Sequence, residues 1–347
     1  MKSTFTNLKN NPLFGIFIFT VVIVLIRLLG NAGFIKQSTI DFLSIVWIYT
    51  IVGLGYSLLL GYTGLASLGT ASFIGLGTYI VSFAVASAGL PLVVAFIIGI
   101  AIAIIFGTLV GFISLRIEGM YLAIITLGLA EIMIEIFRKA RDITGGDGGL
   151  RFEAFNLFGF TEGANALMYR NIIYFIVVAV LVVSMILFLN IVNSPTGRAM
   201  LSIKNSTSAA QAMGISVLKY RLLAFVLATI MAVIGGMLYM PYFEYTEPGI
   251  FNLAISLNIL AAVIVGGSKS IWGVTLGTFV IFGLRDIVLK QIPFFRTNGN
   301  AVYFFTGALV ILIVMYYPGG LVKLFTDLKV KIQGWIKLWK TKGVKHE

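Results

Sequence analysis

Glu131 and Glu135 stand four residues apart in an otherwise apolar stretch, so a helix would set both carboxylates on one face. Two carboxylates facing one way within a membrane suit a proton or cation relay. Three further ionisable side chains, Arg27, Arg285 and Asp286, also interrupt apolar runs. Charge is costly in hydrocarbon, so each is a functional candidate until a neighbour accounts for it. Arg138 lies three residues beyond Glu135 and offers that carboxylate a partner at a helix end. Arg285 and Asp286 are adjacent and late in their run, which suits mutual pairing or snorkelling. Glu131 is deeper and has no such neighbour. Other chemistries lack residues altogether. The chain has no Cys, and its one His is His346 near the end, so thiol and imidazole catalysis, disulfides and His metal clusters are all excluded. No Ser sits beside an evident base, and no polar cluster marks a transferase site at a membrane face.

Two glycine clusters invite a phosphate reading, and neither sustains it. Ile143-Thr144-Gly145-Gly146-Asp147-Gly148-Gly149-Leu150 follows no strand and lacks both G-x-G-x-x-G and G-K-[ST]. It reads either as a lip or docking surface on the outer side, built on Thr144, Gly145, Gly146 and Asp147, or as a flexible turn. Gly266-Gly267-Ser268-Lys269-Ser270 lacks the leading glycine of a Walker A, so no ATP site is expected in this chain. A third small-residue stretch runs from Gly61 through Gly64, Ser67, Gly69 and Ser72 to Gly77, and with Glu131 it forms the candidate translocation pathway. Small residues let helices approach closely, and a helix broken within the membrane exposes backbone groups that can bind substrate. The pairs Gly107/Gly111 and Gly273/Gly277 read as helix packing.

The elements that position these residues are membrane spans. Of 347 residues 59% are hydrophobic and 11% charged, with a mean hydropathy of +1.03; soluble domains carry about 25% charged residues. The fold expected is an all-α polytopic integral membrane protein with about 8–10 transmembrane helices. Ten apolar runs are long enough to qualify: Pro12–Gly30, Ile40–Leu60, Leu65–Ala88, Pro91–Leu115, Met120–Phe137, Ile172–Asn193, Leu222–Pro241, Leu253–Gly267, Ile271–Gln291 and Ala301–Pro318. The third, broken by small residues, and the short eighth are candidates for re-entrant or discontinuous helices. The first is read as an uncleaved span, since no small-residue cleavage site follows it.

The net charge of +12 sits in short loops and the tail, where it sets topology and meets anionic lipid rather than nucleic acid. With both termini inside, fifteen Lys and Arg fall on the cytoplasmic side and eight outside, although the outer loop from Arg138 to Asn171 holds five. The permease domain is expected over 1–320. From Leu321 to Lys345, apolar residues at three- and four-residue steps alternate with lysines, which predicts a basic amphipathic helix on the inner membrane face.

Between the sixth and seventh runs lies a polar interruption, about 194–221, with a compact turn of small residues at Ser208, Ala209, Ala210, Gln211, Ala212, Met213 and Gly214. A basic helical loop of this kind is what a membrane domain needs to dock a cytoplasmic partner.

Four ordered blocks then resemble one family. G-Y-T-G-L-A-S-L-G-T-A-S-F-I-G-L-G-T-Y at 61–79, G-M-Y-L-A-I-I-T-L-G-L-A-E-I at 119–132 with I-T-G-G-D-G-G-L at 143–150, T-G-R-A-M-L-S-I-K-N-S-T-S-A-A-Q-A-M-G-I at 196–215, and N-I-L-A-A-V-I-V-G-G-S-K-S-I-W-G-V-T-L-G at 258–277 are similar to signatures of branched-chain amino acid ABC importer permeases. The size resembles the LivM-like subunit. The resemblance implies a bacterial plasma (inner) membrane importer with a second homologous permease, two cytoplasmic ATPases that hold ATP and Mg, and an external substrate-binding protein. No cofactor is then expected in this chain. It also places a coupling helix in the 194–221 loop, with Ala209, Ala210 and Gly214 on the docking motif. Three positions depart from the pattern: Thr207 where an acid is common, Thr70 where many relatives have His, and Lys269 for a small residue. The competing expectation is a self-sufficient proton-coupled transporter or channel using Glu131 and Glu135.

Overall fold

The computed structural model of this chain describes residues 12–115, 121–151, 166–297, 299–317, 319–324 and 326–327. Helices α1 (Pro12–Asn31), α2 (Gln37–Tyr62), α3 (Thr70–Ser87), α4 (Leu92–Ser114) and α5 (Tyr121–Lys139) come first. Then follow α6 (Ala166–Asn193), the short α7 (Pro195–Asn205) and α8 (Thr207–Ala212), and the long α9 (Val217–Phe243). The chain continues with α10 (Leu253–Gly266), α11 (Ile271–Thr278, prolonged by a wide π segment Phe279–Val288) and α12 (Gly299–Tyr316). Six of these, α1 to α4, α6 and α9, are long and apolar enough to cross a membrane. α5 has the length but carries Glu131, Glu135, Arg138 and Lys139, while α10, α11 and α12 are shorter apolar helices. The all-α polytopic membrane fold expected from the sequence is the one found. The amphipathic tail expected from Leu321 to Lys345 lies outside the described residues beyond Asp327.

α2 and α9 form the core. α2 is buried along most of its length, although it is no more apolar than its neighbours, because α6, α9, α10 and α11 surround it. α9 crosses α3 through glycine: a Cβ on Gly236 would collide with the Ile74 carbonyl, and one on Gly77 with that of Val233. Thr78 adds a hydrogen bond to the Gly236 carbonyl at 3.1 Å. Across the centre, Thr50 of α2 and Thr278 of α11 hydrogen-bond at 2.7 Å. The two G-x-x-x-G pairs pack as the sequence suggests, Gly107 and Gly111 against Thr229, Leu222 and Phe225, and Gly273 and Gly277 against the backbone of α10.

The bundle has two distinct ends. At the far end a two-residue antiparallel ladder joins β1 (Leu150–Arg151) to β2 (Tyr245–Thr246). The near end carries α7, α8 and the turn 267–270. Several helix limits differ from the sequence reading. α6 starts at Ala166 rather than Ile172, because Arg170 stays helical and pairs with Asp41 at 3.1 Å. α9 starts at Val217 rather than Leu222 and carries Lys219 and Arg221 in its first turns. The third run, Leu65–Ala88, is not continuous helix: its first residues are irregular, and helix begins only at Thr70.

Candidate functional site

The break between α2 and α3 is the site's first component. α2 ends in a π turn, Leu58–Tyr62, and the chain then runs without helix through 64–69. α3 starts within the bundle. Its Ala71 amide meets Ser256, near the far-end start of α10, whereas Gly61 packs on Ser268, beyond the near-end finish of α10. Twelve residues separate Ser256 from Ser268, about 18 Å if helical throughout.

Backbone groups so placed must find partners, since an unsatisfied amide in hydrocarbon costs several kcal/mol. Here hydroxyls supply them. Ser67 N–H donates to the Tyr56 hydroxyl at 3.2 Å, Leu68 N–H to Thr126 Oγ1 at 2.9 Å, Gly69 N–H to Ser67 Oγ at 3.3 Å, and Ala71 N–H to Ser256 Oγ at 3.0 Å. Tyr56 also donates to the Ser67 carbonyl and Ser72 Oγ to that of Gly69. The sequence led us to expect open backbone groups at the break. The structure corrects that expectation: these four amides are already taken. Of the pathway candidates, Gly61, Ser67, Gly69 and Ser72 are buried and serve the break itself, whereas Gly64 and Glu131 are exposed. Thr126→Val and Ser256→Ala should each lower stability by about 1–3 kcal/mol, the cost of stranding a buried amide; thermal unfolding in detergent with an unmoved midpoint for either would contradict this.

The two carboxylates share the outward face of α5, and Glu135 has cationic neighbours there. Glu135 lies 3.8 Å from Arg138 and 3.7 Å from Lys139, the pairing expected at a helix end. Glu131 points outward from the bundle on the face of α5 that also exposes Ile124 and Gly128. Arg27 is structural. Its Nε donates to Asn171 Oδ1 at 2.6 Å, its guanidinium lies 5.2 Å from the Tyr174 ring centre, and the Gln37 amide, suitably turned, accepts from both terminal nitrogens. The side chains of Arg285 and Asp286 lie outside the described residues.

The glycine cluster at the far end is tied down rather than a free turn. Thr144 Oγ1 donates to the carbonyls of Phe137 and Ala140 and accepts from Gly146 N–H. Arg138 approaches Asp147 at 3.4 Å, and Gly149 leads into β1, which pairs with β2. Gly145 and Asp147 remain accessible, while Thr144 and Gly146 are buried.

The near-end segment is the second component. Ser194 caps α7, with Pro195 at the first helical position, where its missing N–H costs nothing. Ser206 Oγ accepts from Ala209 N–H to cap α8. α8 closes with Gly214 at φ +78°, Ile215 N–H on the Ala210 carbonyl at 3.0 Å and Gly214 N–H on that of Gln211 at 2.9 Å. These bonds form the left-handed helix stop that glycine favours. Ser208, Ala209, Gln211, Ala212, Met213 and Gly214 face outward, with Met213 79% exposed. Ala210 does not join them: it is 2% exposed and packs inward. Sequence reasoning missed Lys204, whose Nζ donates to the carbonyls of Leu60 at 3.0 Å and Gly61 at 2.9 Å. Burial, and secondarily Lys269, lowers its pKa from the usual lysine value.

These elements make a multi-pass helical membrane domain with a polar two-helix segment at one end. The chain belongs to the branched-chain amino acid transport system permease component family, whose model matches residues 38–314. It is 28% identical over 317 residues to the high-affinity branched-chain amino acid transport system permease protein LivM of Escherichia coli, covering 86% of this chain and 73% of that one. A probable LivH permease of Methanocaldococcus jannaschii is 30% identical over 162 residues, 46% of this chain and 47% of that one. A probable ABC transporter permease of Sinorhizobium fredii is 27% identical over 244 residues, 70% of this chain and 68% of that one. No solved structure matches. The LivM-like permease reading of the sequence stands.

Proposed function

We propose that this permease is one of two membrane subunits of an ATP-binding-cassette importer for branched-chain or closely related amino acids. The observation that carries the reading is Met213, 79% exposed at the tip of a segment whose own ends are fully capped. An apolar side chain held out on a rigid turn is built to enter a pocket on another protein. Two cytoplasmic ATPases, holding ATP and Mg, would receive it, which sets the near end in the cytoplasm of a bacterial plasma membrane. The tied loop at Thr144–Asp147 then faces outside, where a substrate-binding protein delivers its cargo. The outward face of α5 with Gly128 and Glu131 is where a second permease would complete the pathway.

The test is co-purification of the tagged chain from its native membrane, followed by leucine uptake into vesicles. The expected result is retention of an ATPase and a second permease, with uptake that requires ATP. A chain that purifies alone and takes up leucine on a pH gradient, with uptake abolished by Glu131→Gln, would establish the proton-coupled alternative instead.

A further inference from the structure

We infer that Lys204 is the strut through which the near-end segment moves the break between α2 and α3. The inference rests on the importer reading above. The π turn Leu58–Tyr62 ends where the chain leaves helical geometry, so its last carbonyls have no onward helical amide to accept from. The Lys204 ammonium reaches across from α7 and takes two of them, Leu60 and Gly61. A cation at a helix C-terminus is also favoured by the helix dipole. The Lys204 stem lies along the break as well, its Cγ 3.4 Å from where a Cβ on Gly64 would be.

What the strut grips is connected to the turn 267–270 at the bundle's near end. Ser57 Oγ donates to the Ser268 carbonyl at 2.7 Å, and the Tyr62 hydroxyl donates to that of Lys269 at 3.0 Å. Gly61 sits so close to Ser268 that a side chain there would collide with it. A displacement of α7 is therefore delivered to residues 60–62 and, through them, to the turn 267–270. From residue 62 the seven residues to Gly69 lead to α3, whose start is held by Thr126 and Ser256. The weak point of this train is the π turn, a geometry that is rare and concentrated at functional sites. Lys204 thus acts as a positioning residue: it touches no substrate, and it converts motion of the docking segment into motion of the pathway.

The experiment compares wild type, Lys204→Met and Lys204→Arg in the intact complex, reading leucine taken up per ATP hydrolysed. Methionine keeps the length and loses the donors, whereas a guanidinium can still serve two carbonyls. Lys204→Met should keep its ATPase subunits yet fall about tenfold in uptake per ATP, within the range of coupling between sites. Its ATP hydrolysis should no longer rise with leucine-loaded binding protein, and Lys204→Arg should recover most of both. A purely structural lysine would lower the amount of complex without changing the ratio. Wild-type stoichiometry in Lys204→Met overturns the strut. Should that variant not assemble, Tyr62→Phe serves, since it leaves Lys204 and its two bonds in place and removes the downstream bond to the Lys269 carbonyl. Its uptake per ATP should fall in the same sense as that of Lys204→Met; wild-type stoichiometry in Tyr62→Phe overturns the proposal. A wild-type chain that retains no ATPase overturns the importer reading itself.

Discussion

Met213→Asp is expected to release the ATPase subunits from the purified complex while leaving the permease fold intact. The side chain is 79% exposed, so the fold gains nothing from it. The stop of α8 depends on Gly214 and on backbone bonds from Gly214 and Ile215, which a change at 213 leaves in place. A carboxylate driven into an apolar seat loses both the packing and its own hydration. A hot-spot residue at an interface centre costs about 2 kcal/mol or more on truncation, roughly thirtyfold in affinity. Association should therefore collapse at the concentrations used for purification. The measurement is ATPase per permease after affinity capture, with thermal unfolding as the control for folding. Stoichiometric ATPase on the variant would remove Met213 from the docking surface.

Gly236→Val should prevent the protein from accumulating at all. Any Cβ at this position meets the Ile74 carbonyl and crowds the Thr78 amide, both backbone and neither free to step aside. Separating α9 from α3 would also break the Thr78 hydrogen bond to Gly236 and part Gly77 from Val233. Clashes of this type belong to the most damaging class of substitution, above about 4 kcal/mol, against total stabilities of about 5–15 kcal/mol for folded domains. The readout is monodisperse protein after detergent extraction. Wild-type yield would show that the two helices can slide to make room, contrary to the close crossing described above.

The spans were legible because hydrocarbon demands length and apolarity, and both can be read locally. Pro12, Leu253 and Ile271 open helices where the sequence placed them. The misplaced starts have one cause. Arg170, Lys219 and Arg221 read as loop residues because they are charged, yet a helix end tolerates them when a partner such as Asp41 or the interface receives the charge. The break was legible in kind from its small residues, but not in position. Its helix begins where Thr126 and Ser256 can cap it, and those hydroxyls are 58 and 185 residues away from the amides they serve. The docking segment was legible in outline because its signals are local. Which side of α8 turns inward was not: Ala210 packs against the bundle through tertiary contact alone. Lys204 escaped notice because one lysine in a basic loop looks like any other until its acceptors are known. An isolated hydroxyl within an apolar run, such as Thr50, Thr126, Ser256 or Thr278, was the signal available and unused.

The capping of the α2–α3 break also bears on how the chain is made. Of the six long apolar helices, α3 has the lowest mean hydropathy, 1.5, so lipid alone receives it least readily. The Leu68 amide gains its acceptor only after residue 126 has been synthesised, and the Ala71 amide only after residue 256. Until then these two amides lack the acceptors they have in the finished bundle. The break made early in the chain is thus completed by groups that are made much later, the last of them at residue 256.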